Sequence, residues 1–207
     1  MRVDLYTFVH KAQRFHLFRL SEAIGSADLS QTEEADEIAG RVIELMEHLK
    51  DHAQNEKIYI HPLYQNVGSV GDHFDEEHES LETEIQKIEK IAQERRWNDL
   101  YKTYSRFLGV YLLHLDEEET AQHEILWKHY EDKDLGETFM RFKAERSPHL
   151  AKKDFEFMLP ALSIPELTQM FRGMKASAPA QVFQDACNTA TKLLPKTKWE
   201  KIATAIA

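Results

Sequence analysis

The chain has 207 residues, which suits one domain or one domain with an extension, and its lone Cys187 excludes an internal disulfide and cysteine-based metal sites. The formal net charge of −10 would repel phosphate backbones and anionic headgroups, which argues against nucleic-acid and membrane partners. The longest apolar run, residues 107–113, is too short to span a bilayer, and the N-terminal residues lack a leader-like apolar segment, so we expect a cytoplasmic protein.

Four long helices are predicted in the first part of the chain, at about residues 3–24, 31–60, 72–95 and 97–130. Ser30 and Glu33 have the spacing of a capping box, which predicts the start of the second helix. Pro62 and the glycines at 68 and 71 predict the break before the third. Because no sustained alternation of apolar and polar residues predicts a strand, the fold class is expected to be all-α.

Each predicted helix carries an apolar stripe with spacings of three and four residues, the pattern of a helix that packs in a bundle. Four such stripes predict an antiparallel up-down four-helix bundle. Each stripe is interrupted by histidine, or by histidine and glutamate, where Leu or Ile is expected. The interrupting residues are His10 in the first helix, His52 and Glu56 in the second, His78 in the third, and His114 and Glu118 in the fourth.

These six polar residues predict a metal centre. A buried glutamate or an unpaired imidazole is costly without a partner, and a shared metal would compensate all of them. The two residues of each His-x3-Glu pair lie on the same face of their helix. Four imidazoles and two carboxylates are the ligand set of a dinuclear site in which Glu56 and Glu118 bridge the ions, with positions left open for a small ligand.

The pattern His-x3-Glu-x4-His occurs twice, at residues 52–61 and 114–123, so the chain reads as two related helical hairpins. Further histidines lie one position off the stripes and are expected to flank the site, with His73 as the best spare ligand. They are His48, His61, His73 and His123. The acidic residues 76–77, 117 and 119 are expected to form solvated faces.

Four tyrosines also lie on the stripes, and for them two roles stay open. Core packing is the simpler role, but a buried Tyr hydroxyl normally finds a hydrogen-bond partner and could reach the bridge or a bound ligand. These residues are Tyr6, Tyr59, Tyr104 and Tyr111.

The spacing, order and helix placement of the six residues resemble the hemerythrin-like (HHE cation-binding) proteins. The resemblance covers about residues 1–131 and implies a four-helix bundle that holds two iron ions, bridged by two carboxylates and an oxo or hydroxo group. The residues that carry it are His10, His52, Glu56, His78, His114 and Glu118. The fit is to the four-histidine form, because Phe74 stands where oxygen-carrying hemerythrins have a further histidine.

The resemblance implies a protein that binds or senses a small oxidant such as oxygen, nitric oxide or peroxide. Two other functions stay open: an enzyme that acts as an oxidase, as a scavenger or in the repair of iron centres, and an interaction module with a structural metal. Imidazole and carboxylate ligands also accept Mn and Zn, so iron is preferred mainly through the resemblance.

Residues 132–207 are predicted to form a separate helical extension. Residues 1–131 hold 27 acidic and 14 basic residues, a net charge of −13, whereas residues 132–207 hold 9 acidic and 12 basic residues, a net charge of +3. Short helices are expected at about 135–146, 149–159, 165–175, 180–193 and 196–206, with Ser163 and Glu166 as a capping box. The extension contains no catalytic motif, and three roles stay open for it: it could cover one end of the bundle, join a homodimer or bind a regulatory partner.

Overall fold

The computed structural model describes residues 2–207, and all regular structure in that part of the chain is helical, which confirms the all-α fold class. The long helices of the first half are α1 (Thr7–Ser26), α2 (Thr32–Tyr59), α4 (Gly71–Gln93) and α5 (Trp97–Ala121). Shorter elements connect or extend them: α3 (His61–Asn66), a π-helix (Gln122–Leu126) and α6 (Trp127–His129).

The four long helices pack in a closed ring, in which α1 contacts α2 and α5, and α4 contacts the same two helices. The apolar positions of the predicted stripes are buried between them. On α2, for example, Ile38, Val42, Leu45 and Leu49 are all at most 6% exposed. This arrangement is compatible with the predicted antiparallel four-helix bundle, and it brings the polar interruptions of all four stripes into the interior.

Two helix starts differ from the sequence-based prediction. The first helix begins at Thr7, because the Asp4 carboxylate accepts hydrogen bonds from the backbone N–H groups of Tyr6 and Thr7. The capping box predicted at Ser30 is wrong. Ser30 donates instead to the Asp28 carboxylate through both its backbone N–H and its hydroxyl, and α2 begins at Thr32.

The predicted break between the second and third long helices contains the short helix α3. Proline near the first position of a helix is favourable, because its missing N–H would have no helical partner there, and Pro62 takes this place in α3. The helix ends near Gly68, whose φ of 67° is in the left-handed region that favours glycine. The long helix α2 thus ends at Tyr59, and the short helix α3 follows it as a separate element.

The fourth long helix continues into the π-helix, which shifts the residues that follow Ala121. Gln122 is fully buried there, accepts a hydrogen bond from Leu5 N–H at 2.7 Å and donates one to Asp4 at 3.1 Å. His123 is exposed and stacks on Trp127 with a ring separation of 4.2 Å. The π-helix thus ties the N-terminal segment to the end of the bundle.

The chain forms two compact units, the first ending at Glu145 and the second spanning Arg146–Ala207. Helix α7 (Asp132–Glu145) belongs to the first unit, where it packs on α2. Leu135 of this helix is fully buried in a cluster with Tyr64, Phe74 and Leu126. The domain boundary at residue 132 stays a prediction. The first compact unit continues for one helix, α7, beyond that residue.

The second unit contains α8 (Pro148–Met158), α9 (Ile164–Ser177), α10 (Ala180–Leu193) and α11 (Lys196–Ile206). Phe171 is fully buried in this unit, and its ring lies 5.2 Å from that of Trp199 and 5.8 Å from that of Phe155. The capping box predicted for α9 is confirmed, because the Glu166 carboxylate accepts hydrogen bonds from the backbone and hydroxyl of Ser163.

Candidate metal centre

All six residues of the sequence-predicted site are buried in the interior of the first unit. Their exposed fractions are 0% for His10, 9% for His52, 2% for Glu56, 8% for His78, 4% for His114 and 0% for Glu118. They project from four different helices, so the geometry depends on the packing of α1, α2, α4 and α5.

On one side of the cluster, His10 and His52 face the two glutamates. His52 Nε2 lies 3.0 Å from Glu56 Oε1, and His10 Nε2 lies 3.6 Å from the same oxygen. His10 Nε2 also lies 3.4 Å from Glu118 Oε2. These four residues form one compact group of nitrogen and oxygen donors.

On the other side, His78 and His114 face the remaining oxygens of the same carboxylates. His78 Nε2 lies 3.6 Å from Glu56 Oε2 and 3.4 Å from Glu118 Oε1. His114 Nε2 lies 3.3 Å from Glu118 Oε1 and 3.0 Å from His78 Nε2. Each glutamate therefore presents one oxygen to each side of the cluster.

A residue outside the predicted set joins the second side. His61 is fully buried, and it forms a compact donor group with Glu56, His78 and Glu118. The predicted ligand His114 lies outside that group, although it contacts both His78 and Glu118.

Carboxylates fix the orientation of three of the five histidines. The Nδ1 atom of His10 lies 3.0 Å from Glu119. That of His61 lies 2.8 Å from Asp75, and that of His114 lies 3.0 Å from Glu77. A hydrogen bond at Nδ1 holds the proton there and leaves Nε2 free to act as a ligand. Glu77 and Glu119 were predicted to lie on solvated faces, and this prediction is wrong: each packs against a buried imidazole.

The charges of the cluster are unevenly distributed. Burial and the negative charge of Glu56 raise the pKa of Glu118 to about 7. Burial also opposes the ionisation of Glu56, but His52 and His10 hold the pKa of that carboxyl well below its usual range. Burial lowers the pKa of His10, yet the hydrogen bond with Glu119 and the nearby Glu56 outweigh it and raise that pKa to about 9. Two adjacent buried carboxylates thus need a compensating positive charge.

The donor atoms fit a metal ion. The Nε2 atoms of His10, His52 and His61 and both oxygens of Glu56 and Glu118 are buried and make no hydrogen bond. Two donors about 2.1 Å from one ion are separated by roughly 3.0–3.4 Å in octahedral or tetrahedral geometry. The contacts within the cluster, between 3.0 and 3.6 Å, cover this range. The buried His/Glu groups could therefore hold a metal ion, which is consistent with a hemerythrin-like centre.

The four predicted tyrosines divide between packing roles and positions near the site. The hydroxyl of Tyr59 donates to Glu145 at 2.7 Å, and that of Tyr104 donates to the carbonyl of Leu17 at 2.9 Å, so both point away from the cluster. The Tyr111 ring, by contrast, lies 5.9 Å from that of His114.

Tyr6 forms a buried pair with Tyr64, a residue that the stripe pattern did not select. Their hydroxyl oxygens are 3.5 Å apart, both residues are fully buried, and the Tyr6 ring lies 4.9 Å from His10. Burial raises the pKa of both phenols, so they remain protonated at neutral pH.

His73 does not reach the buried cluster. It is exposed and lies 3.6 Å from Glu77 and 3.7 Å from Glu117, with which it forms a separate surface group. Glu77 contacts both His73 and the buried His114, so it links this surface group to the interior.

A cleft of about 80 Å³ between α2 and α4 reaches the buried site. Its lining includes Ala53, Lys57, His78 and Tyr111. Pockets that bind drug-sized molecules typically measure about 300–1,000 Å³, so this cleft suits only a small ligand.

The role of His61 was missed because a continuous helix would place it off the stripe, about 140° around the axis from Glu56. The signal that could have found it is Pro62. The residue before a proline is disfavoured in helical conformation, so Pro62 predicts a break in the helix close to His61; the break lies at Ile60, and His61 begins α3. The equivalent His123 is followed by Glu124, which allows the helix to continue.

The chain matches no protein-family model, no curated protein and no solved structure. None of the helices within residues 2–207 combines the length and apolar composition needed to cross a membrane.

Proposed function

We propose that this protein is a hemerythrin-like, non-haem di-iron protein that binds or senses a small oxidant such as oxygen, nitric oxide or peroxide. The observation that carries the proposal is the opposed arrangement around Glu56 and Glu118. One oxygen of each carboxylate faces His10, and the other faces His78. This is the placement that two bridging carboxylates require between two metal ions.

In this proposal His10 and His52 hold one ion, His78 and His114 hold the other, and Glu56 and Glu118 bridge both. Zinc is disfavoured because carboxylate-bridged metal pairs in helical bundles are typically iron or manganese. Iron is preferred over manganese because of the resemblance to the hemerythrin-like proteins. When bound, the two ions would supply reversible ligand binding and redox chemistry.

The protein's own residues would restrict which molecules reach the centre. The cleft beside His78 and Tyr111 is too small for most organic substrates. The surrounding core residues Leu81 and Ile85 exclude bulk water from the deeper part of the bundle, since both are at most 6% exposed. The Tyr6 ring lies 4.9 Å from that of His10, and the protonated hydroxyls of Tyr6 and Tyr64 could donate hydrogen bonds to a ligand bound at the centre.

The test is the visible spectrum of the iron-loaded protein before and after reduction, followed by exposure to oxygen, nitric oxide or peroxide. We expect an absorption band that is lost on reduction and changes when one of the three molecules is added. Catalytic turnover of peroxide or nitric oxide would instead favour the enzyme alternative. A colourless protein that takes up metal but responds to none of these molecules would contradict the proposal and favour a structural metal.

A further inference from the structure

We propose that His61 is a seventh protein ligand of this centre and gives the ion next to His78 a third imidazole. This inference rests on the proposed function, because it needs a metal at that position. It goes beyond that function by assigning a ligand that lies outside the pattern of the four helix stripes.

The first argument is the state of the His61 ring. Its Nδ1 lies 2.8 Å from Asp75, and the side chain is fully buried. The other ring nitrogen, Nε2, is buried and makes no hydrogen bond. A histidine that served only the core would be expected to satisfy both nitrogens, because an unpaired buried polar atom is costly.

The second argument is direction. The donor atoms of His61, Glu56, His78 and Glu118 all lie within 4.8 Å of one another. The His61 and His78 rings are 4.9 Å apart. His61 therefore offers a ring nitrogen to the same donor group as three of the predicted ligands, and Nε2 is the one that Asp75 leaves unbonded.

The third argument is the backbone that places it. The interruption at Ile60 ends α2, and α3 begins at His61, which turns this residue back toward the bundle interior. In the second copy of the repeat the helix is not interrupted in this way, and His123 is exposed on Trp127. The two copies thus start from the same pattern but place their last histidines in opposite environments.

The consequence is a centre with two unequal sides. One ion would have the imidazoles of His10 and His52, whereas the other would have those of His61, His78 and His114. Ions with two and three imidazoles differ in the number of coordination positions left for other ligands. The ion with three imidazoles should therefore bind more tightly and load first.

The test is anaerobic titration of the full chain with Co(II) and with Fe(II), followed by absorbance and by metal analysis. The variants are His61→Ala and Asp75→Asn, and the matched control is His123→Ala, from the equivalent position of the repeat. For His61→Ala we expect the first ion to bind at least about tenfold more weakly than in the wild type, so that the two binding steps become more alike. Millimolar imidazole should restore the tight first step, because it can occupy the space that the side chain leaves.

Asp75→Asn should weaken binding of the first ion by about tenfold or more, since partners of ligating histidines typically contribute 10–100-fold to metal affinity. His123→Ala should bind both ions as the wild type does. Wild-type binding of two ions by folded His61→Ala, checked by circular dichroism, would overturn the proposal and leave His61 a core residue.

If His61→Ala does not fold, His61→Gln and Asp75→Asn decide the question, and unchanged binding of the first ion by both would overturn the proposal. The outcomes also separate this inference from the proposed function. Failure of the wild type and His123→Ala to bind Co(II) or Fe(II) would refute the proposed metal centre itself. Normal binding in all variants would refute only the role of His61.

Discussion

The buried histidines and glutamates of the cluster bind protons as well as metals, so pH should control metal affinity. At pH 6 both Glu118, with a pKa of about 7, and His10, with a pKa of about 9, hold a proton. Both groups must release these protons to become ligands. The pKa values of His61 and His78 are lowered, chiefly by burial, so these imidazoles contribute less to this proton release than ordinary histidines would.

We therefore predict that metal affinity rises with pH between about 6 and 9. Each displaced proton changes the affinity by up to about tenfold per pH unit, so the effect should be largest where both groups are protonated. The measurement is Co(II) titration at pH 6, 7, 8 and 9, together with proton release in weakly buffered solution. An affinity that is independent of pH would mean that neither Glu118 nor His10 releases a proton on metal binding, and it would contradict their role as ligands.

The carboxylates that hold the imidazoles give a second prediction at the scale of single residues. Glu119 contacts both His10 and Arg14, which keep its pKa at about 2 although burial opposes this. Glu119→Gln should therefore lower metal affinity by about 10–100-fold, because the amide orients His10 less well. Glu117→Gln is the matched control: Glu117 is half exposed and contacts the surface residue His73, so metal affinity should not change. Equal effects of both substitutions on Co(II) binding would contradict the role assigned to Glu119.

At the scale of helices, the corner between α3 and α4 determines where His61 lies. A Cβ atom on Gly71 would lie 2.8 Å from the carbonyl oxygen of His61 and 2.6 Å from Cγ of Gln65. Real structures essentially never contain such short contacts, so only glycine fits here without a shift of the backbone.

We predict that Gly71→Ala lowers the free energy of unfolding by about 1–3 kcal/mol, as overpacking of a tight contact typically does. It should also weaken the first metal-binding step, because the His61 backbone must move. The control is Gly40→Ala, an open position within α2, where the substitution should stabilise the helix by about 0.5–1 kcal/mol. Chemical denaturation of both variants measures this difference, and equal stability of the two would show that the corner is not tightly packed.

The helices and the six stripe residues could be predicted because both follow from spacing alone. Leu45 and Ile85 are core residues of these stripes. A histidine or glutamate at another position of the same stripe must also face the interior if the helix is continuous. The contribution of His61 could not be predicted in this way, since it depends on an interruption that rotates the chain. The partners Asp75 and Glu119 were missed for a related reason: they lie beside the stripes, and only the packing of neighbouring helices shows that they touch buried imidazoles.

At the scale of the whole molecule, the first compact unit contains every candidate ligand, so it should assemble the metal centre without the second. The boundary matters because α7 is part of the first unit. Leu135 is fully buried, and Glu145 accepts a hydrogen bond from Tyr59 on α2. A chain that ended at residue 132, where the sign of the net charge changes, would lack α7.

We predict that a chain ending at Glu145 keeps the metal content of the full-length protein. A chain ending at Asp134 loses the buried Leu135 and the remainder of α7, and should be less stable by at least about 2–5 kcal/mol. Metal analysis, thermal unfolding and light scattering of the two shortened proteins test this prediction. Loss of metal from a folded, soluble chain ending at Glu145 would show that the second unit helps to build the centre.

The central claim, a dinuclear centre bridged by Glu56 and Glu118, is tested most directly by metal content per chain. The measurement compares the iron-loaded wild type with His52→Ala and His114→Ala, which remove one imidazole from each side of the cluster. The account predicts two ions per chain in the wild type, and lower occupancy together with lower stability in each variant, because the carboxylates then lack full compensation. A single ion per wild-type chain, or full occupancy in both variants, would contradict it.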